Sequence, residues 1–311
     1  MTKNNVVCIG LTVADILIRP VPLEFQKRDT TFVDEITYAA GGDAYNEAYA
    51  LTRLGVPVKL ISSVGSDLWG DFIIKTGKKA GIDMEYVVFQ KKYPTTISLV
   101  VIREEGERNF IVARESSAMF FESEALDKPS IEKAKILSLA SLYSSYEMDN
   151  AFLEAAKAAK KAGAIITADT TSSLDLLTLQ SRAELLSLLD FIFPNYEEAS
   201  RITKETSPDG IAKAFLKYGV KNVVIKTGIN GCYIQNSEEK FEVPAYKNTR
   251  LVDTTGAGDN FAAGFIYGLF NDLPISQCAA YANAAAAISI QYTGAGGLKS
   301  LKEVEDLMAG S

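Results

Sequence analysis

The segment Asp253-Thr254-Thr255-Gly256-Ala257-Gly258-Asp259-Asn260-Phe261 concentrates the residues of this chain most suited to chemistry. Gly256, Ala257 and Gly258 are small and stand directly before an apolar helical stretch, so a ligand can approach the backbone. The unpaired N–H groups that open a helix attract anions such as phosphate. Asp259 falls in the first turn of that helix, and a carboxylate beside a phosphate cradle suits a general base toward a hydroxyl nucleophile. The same letters also describe a plain glycine-rich turn whose acidic residue stabilises the helix dipole. Asn195 and Glu198 stand three apart, which places them on one helix face. They offer the hard oxygen ligands that suit Mg2+, or else an N-cap with its first-turn acid.

Composition narrows the chemistry. None of the 311 residues is histidine, which removes Ser-His-Asp triads, HExxH zinc sites and His-ligated haem. Any general base is therefore a carboxylate, Lys, Tyr or Cys. Cys8, Cys232 and Cys278 are too few and too scattered for a zinc cluster or a disulfide framework, and they read as buried thiols of a reducing cytoplasm. With 32 Lys and Arg against 39 Asp and Glu, the net charge is −7, and nucleic-acid binding is disfavoured. No apolar run approaches the ~18 residues of a membrane span. There is no GxxxxGK[ST] loop and no GxGxxG after the first apolar run, which speaks against a P-loop NTPase and a Rossmann dehydrogenase.

Short apolar strands alternate with helical patterns over nearly the whole chain. That rhythm predicts one α/β domain over residues 1–311, a doubly wound and mostly parallel sheet with helices on both faces. Predicted strands include Val6–Gly10, Val58–Val64, Ile136–Leu142, Ala164–Ala168, Phe191–Phe193 and Asn222–Lys226. Predicted helices include one after Gly42 that Gly55 closes, and one from Asp67 to Ala80 that Gly81 ends. Others cover Asn150–Ala162, Ile211–Tyr218, Phe261–Phe270 and Ile275–Ile290. Asn230-Gly231 reads as a two-residue hairpin turn. Residues 16–38 read as less regular, with Pro20, Pro22 and the charged stretch Gln26–Asp29. Thr96–Arg103 and Arg108–Val112 flank Glu104-Glu105-Gly106-Glu107 and predict a hairpin that belongs to a small separate sheet.

From about Val6 to Gly297 the chain resembles the ribokinase-like (PfkB) carbohydrate kinases. Asp253 to Asp259, followed by Phe261, Gly264 and Phe265, is similar to the family's second signature. Gly41-Gly42-Asp43-Ala44-Tyr45-Asn46-Glu47-Ala48, with Leu51 and Leu54-Gly55, is similar to the first. Asp15, Val64-Gly65-x-Asp67-x-x-Gly70, Asn195-x-x-Glu198, Lys226-Thr227-Gly228-x-x-Gly231 and Asn283-Ala284-Ala285-Ala286-Ala287 follow in the family's order.

The resemblance implies an ATP-dependent sugar kinase in which Asp259 is the base and the amides of Gly256, Ala257 and Gly258 hold the transferring phosphoryl group. It implies sugar contacts from Asp15, Gly41, Gly42 and Asn46. Nucleotide contacts would come from Asn195, Thr227, Gly228, Gly231 and Asn283. Glu198 would serve Mg2+, and Asp253 a monovalent cation such as K+. It also implies a β lid built from about residues 12–38 and 93–116, through which members often form homodimers. Three residues depart from the ribose-specific pattern: Val13 stands for Asn, Asp43 for a basic residue, and Arg114 resembles an arginine used by some fructose and keto-sugar-acid kinases. They point to a ketose or keto-sugar acid rather than ribose. The alternatives are a nucleoside kinase of the same fold and a catalytically silent sugar- or nucleotide-binding regulator.

Overall fold

The computed structural model describes residues 5–104, 108–121, 123–171, 178–247 and 250–310. Its strands are β1 (Val6–Ile9), β2 (Val13–Arg19), β3 (Glu35–Gly41), β4 (Val58–Gly65), β5 (Val87–Gln90), β6 (Ile97–Ile102), β7 (Arg108–Val112), β8 (Ile136–Leu142), β9 (Ile165–Thr170), β10 (Phe191–Ile192), β11 (Asn222–Lys226), β12 (Cys232–Gln235) and β13 (Lys240–Val243). Its α-helices are α1 (Asp43–Arg53), α2 (Leu68–Ala80), α3 (Lys128–Lys133), α4 (Tyr146–Lys161), α5 (Ala183–Leu186), α6 (Tyr196–Thr203), α7 (Pro208–Lys217), α8 (Ala257–Phe270), α9 (Ile275–Ser289) and α10 (Leu301–Ala309).

A nine-stranded sheet runs in the order β13-β12-β11-β10-β9-β8-β1-β4-β5. Every pairing from β5 across to β11 is parallel, and only β12 and β13 turn antiparallel at one edge. A parallel sheet of short β-branched strands must be covered on both faces. Here β1 sends Val6 and Cys8 into one apolar layer and Val7 and Ile9 into the other. The first layer holds Phe261 and Phe265 of α8 with Leu51 of α1; the second holds Phe152 of α4 and Phe215 of α7.

Local signals explain the helix ends. The Asp67 carboxylate accepts the N–H groups of Trp69 and Gly70, and Gly81 closes α2 at φ 90°. α4 begins at Tyr146, four residues before the predicted Asn150, because the Ser145 hydroxyl caps the Met148 N–H. α7 likewise begins at Pro208, behind a Ser207 cap.

A four-stranded sheet in the order β3-β2-β6-β7 stands apart from the large one. The predicted hairpin is its β6-β7 half, and its turn residues 105–107 lie outside the described residues. Residues 20–34 are indeed without strands, but the two ends of the 16–38 span belong to β2 and β3, paired antiparallel from Val13–Gly41 to Arg19–Glu35. The Asn230-Gly231 turn also differs from expectation. The Thr227 N–H bonds the Gly231 carbonyl at 2.8 Å, and residues 228–230 form a single 3-10 turn, so the connection is five residues long.

Candidate active site

In an open α/β sheet, a crevice forms where neighbouring strands send their connections to opposite faces. Here that point is β1, flanked by β4 and β8. At its carboxyl end Leu11 passes into β2 of the small sheet, and the Leu11 N–H bonds the Ser141 hydroxyl at 3.0 Å. The N-termini of α1 and α8 meet above this edge. Gly41 leads into α1 without a side chain, since a β-carbon there would come within 2.0 Å of an Asp15 carboxylate oxygen.

The two signature segments touch. The Asn46 carboxamide of α1 donates to the Asp259 carboxylate of α8 at 2.7 Å, across 213 residues of sequence. Gly256 stands at the head of α8 with φ 71°, and a β-carbon there would strike Ala295 at 2.3 Å. No side chain caps this helix, and the amides of Gly258 and Asp259 find no acceptor among the described residues. An uncapped, unblocked helix N-terminus of this kind is an anion cradle. Burial pushes the Asp259 carboxyl up, the Asn46 bond and Lys226 pull it down, and Glu198 pushes it up again; the balance leaves it raised. A raised carboxylate is a better proton acceptor at neutral pH.

Asp15, Tyr45 and Asn46 line a cavity of about 440 Å³, a usual size for a small-molecule site. Leu17, Val100 and Phe110 of the small sheet and Phe72 of α2 form apolar walls, and Gly294 to Gly296 close the side nearest Thr255. Burial raises the Asp15 carboxyl to about 6, against a lowering hydrogen bond from Ser98. Asp43 sits in the first turn of α1. Burial first, then the charges of Asp259 and Asp169, hold its carboxyl well above the usual range. One of its carboxylate oxygens is buried without a hydrogen-bond partner.

Two further residues complete the floor: Asp169, which lies outside the quoted motifs, and Lys226, which opens the Lys226-Thr227-Gly228 motif without a role of its own there. Lys226, at the end of β11, donates to both Asp169 carboxylate oxygens at 2.7 Å. Its ammonium lies 3.1 Å from where a Gly258 β-carbon would stand, directly against the cradle. Burial opposes the Lys226 charge, but Asp169 overrides it and keeps the ammonium firmly protonated. Both residues end otherwise apolar strands at the carboxyl edge, which is the signal that could have found them.

Other predicted residues have structural duties. Asn195 caps α6, its side-chain oxygen accepting the Glu198 N–H at 2.8 Å. The Glu198 carboxylate accepts the Thr170 hydroxyl at 2.8 Å and faces Asp43, Asp169 and Asp259. The Asn283 amide donates to the carbonyls of Val243 and Pro244 at 3.0 and 3.1 Å, which ties α9 to the end of β13. Gly231 packs against the Val243 carbonyl. Thr227 and the exposed Gly228 lie on the rim beyond Lys226. Arg114 is exposed just past β7 and does not line the cavity.

Mg2+ binds through one or two carboxylates together with substrate phosphates, while keeping several waters. Glu198 and the unpartnered oxygen of Asp43 fit that pattern. A monovalent cation on Asp253 does not fit. One of its oxygens takes the Arg108 guanidinium, the Thr255 N–H and the Thr255 hydroxyl, and the other takes the Gly294 N–H.

Comparison with known proteins agrees with this geometry. The pattern of the pfkB family carbohydrate kinases matches residues 3–301. The chain is 30% identical to "Probable fructokinase-5" of Arabidopsis thaliana over 272 residues, covering 83% of this chain and 84% of that one. It is also 30% identical over 269 residues to the 2-dehydro-3-deoxygluconokinase of Bacillus subtilis, covering 83% of each. The Arabidopsis thaliana ribokinase, solved with ribose and ATP, superposes with a TM-score of 0.85 at 25% identity and full coverage of both chains. No helix among the described residues is long and apolar enough to cross a membrane. With both signatures joined at one uncapped helix and the family's pattern running along nearly its whole length, the chain belongs to the pfkB family of carbohydrate kinases and is an ATP-dependent phosphotransferase of the ribokinase-like fold.

Proposed function

We propose that this kinase phosphorylates a hydroxyl of a neutral ketose, with Asp259 as general base. The observation that carries the reading is the Asn46–Asp259 hydrogen bond, which puts a raised carboxylate between the cavity and the uncapped start of α8. The sugar hydroxyl gives its proton to Asp259 as its oxygen bonds the γ-phosphorus of ATP. The bond from that phosphorus to the β,γ-bridging oxygen breaks, and ADP leaves. The amides of Gly258 and Asp259, with Lys226 behind them, face the charge that spreads over the transferring group. Mg2+ carried by Glu198 and Asp43 would neutralise nucleotide phosphate charge. Thr227 and Gly228 line the route by which the nucleotide enters.

Among the described residues no Lys or Arg lines the cavity, and Arg114 stands outside it. A substrate carboxylate would therefore meet Asp15 with no cation to offset it. Among the two substrate classes to which the sequence points, this favours the ketose over the keto-sugar acid, in keeping with the fructokinase name of one relative. The small sheet closes over the sugar as a lid and keeps water from the phosphoryl group. Ile36 and Ile111 leave that sheet 62% and 53% exposed, and a second copy of the chain covers them. Three buried free thiols favour a reducing cytoplasmic setting. The test is an ADP-release assay over ketoses, keto-sugar acids, ribose and nucleosides. A ketohexose is expected to give the highest kcat/KM, and a clear preference for the acid or for ribose refutes the substrate assignment. Nucleosides belong in the panel because Tyr38, Phe72 and Phe110 would also suit a base.

A further inference from the structure

The loop that leads into the anion cradle is tied to the small sheet by one arginine. Arg108 is the first residue of β7 and pairs with Ile102 at the hairpin's outer end. Its guanidinium donates to the Asp253 carboxylate and to the Thr254 hydroxyl, 145 and 146 residues away. Asp253 is the start of the Asp253-Thr254-Thr255-Gly256 run that sets the head of α8. Its carboxylate takes four donors in all, three of them on the oxygen that Arg108 holds. The pair is well shielded, with 19% of the Arg108 side chain and 9% of that of Asp253 exposed.

We propose that Arg108 takes the place of a monovalent cation at Asp253, so that this kinase carries its own positive charge beside the anion cradle and does not depend on K+. The inference rests on the kinase reading above. A K+ ion on that oxygen of Asp253 would have to displace a guanidinium that bonds it and the Thr254 hydroxyl together. Arg suits the post because its charge is permanent and its fork reaches a carboxylate and a neighbouring hydroxyl together. The charge also comes from the small sheet rather than from solvent.

Initial rates in K+, Na+ and a tetraalkylammonium salt, at equal ionic strength, test this. The wild-type rates are expected to agree within about twofold. Arg108→Ala is expected to lose about tenfold or more in kcat in tetraalkylammonium, within the range for weakening a phosphoryl or oxyanion site. It should regain part of that loss in K+ along a saturable curve. A second reading needs no turnover: the melting temperature without substrates. K+ in place of Na+ should leave the wild type unmoved and raise Arg108→Ala. Arg108→Lys keeps a cation and should stay indifferent to K+. If Arg108→Ala does not fold, Arg108→Gln, which keeps a donor without the charge, decides on the same readings. A wild-type rate or melting temperature that depends on K+ overturns the proposal. So does a variant that slows without answering to K+ in either reading, or one that does not slow at all. Because the melting experiment involves no phosphotransfer, its failure is distinct from failure of the kinase reading.

Discussion

Replacing Asn46 by Ala removes a donor from Asp259 and should move the pH dependence of catalysis in a direction that can be worked out beforehand. Burial raises the Asp259 carboxyl, and the Asn46 bond is the foremost of the influences that lower it. A hydrogen bond to a charged group contributes about 1.5–3 kcal/mol, and each pH unit corresponds to about 1.36 kcal/mol. The Asp259 carboxyl should therefore rise further. Since Asp259 must be ionised to accept the sugar proton, the acid limb of log(kcat/KM) against pH should shift to higher pH. Asn46 is 9% exposed, so water entering the vacated space would offset part of the shift. Asn46 also lines the cavity, and its loss can change the plateau height through KM. The position of the limb is independent of that height, which makes the limb the deciding quantity. An acid limb within ~0.3 pH unit of wild type would refute the claim that Asp259 is the titrating base under the control of Asn46.

Three further outcomes are expected. Asp259→Asn should lower kcat by about 10²–10⁴ while ATP still binds by calorimetry, since the carboxamide keeps the shape but accepts no proton. Glu198→Ala should raise the Mg2+ concentration for half-maximal rate, and an unchanged titration would reduce the Asn195–Glu198 pair to a helix cap. Glu47 is 1% exposed, and its carboxyl is raised by burial to about 8. A raised carboxyl gives stability that is full below the unfolded value and lost as pH rises toward the folded one, so Glu47→Gln should melt higher than wild type at pH 8, by at most roughly 4 kcal/mol, and equally near pH 4.5.

Where one local interaction decides a feature, the sequence shows it. Asp67 and Gly81 bound α2 through a carboxylate cap and a left-handed glycine, and both stand within a turn of the residues they terminate. The floor of the site was legible for the same reason, because the glycines and Asp259 act through one helix end. Features that depend on distant partners were not. β3 carries Glu35, Thr37 and Tyr38 on a strand of which only Gly41 is buried, so no apolar alternation marks it. The amide of Asn283 looks available for a ligand until the carbonyls of Val243 and Pro244 are seen to occupy it. Asp169 and Lys226 are separated by 57 residues, and nothing in either local stretch states that they pair. The Arg108–Asp253 contact is harder still, since it joins β7 of the small sheet to the loop before α8 across 145 residues and changes what Asp253 can do.

The charges on the floor fit together as a requirement for what must enter. Asp169, Glu198 and Asp259 gather around one ammonium, that of Lys226, and Asp43 faces the same three carboxylates. The Lys226–Asp169 pair is self-neutralising, which leaves three carboxylates facing the cavity and the cradle. The N-termini of α1 and α8 offset part of this, with Asp43 and Asp259 each in a first turn. They do not offset all of it, for Asp43 is held well above the usual range partly by the charges around it. A bare triphosphate would meet the amides of the cradle and the carboxylates together, and the two would nearly cancel. A nucleotide that brings Mg2+ reverses the balance, because each carboxylate then faces a cation while the amides keep the phosphoryl oxygens. On the proposed reading Asp15, raised by burial to about 6 and lining the cavity, meets a substrate hydroxyl rather than the metal. On the proposed reading, acidic side chains beside a phosphate cradle are therefore consistent with phosphoryl transfer, since such a floor suits a metal–nucleotide complex better than the free anion.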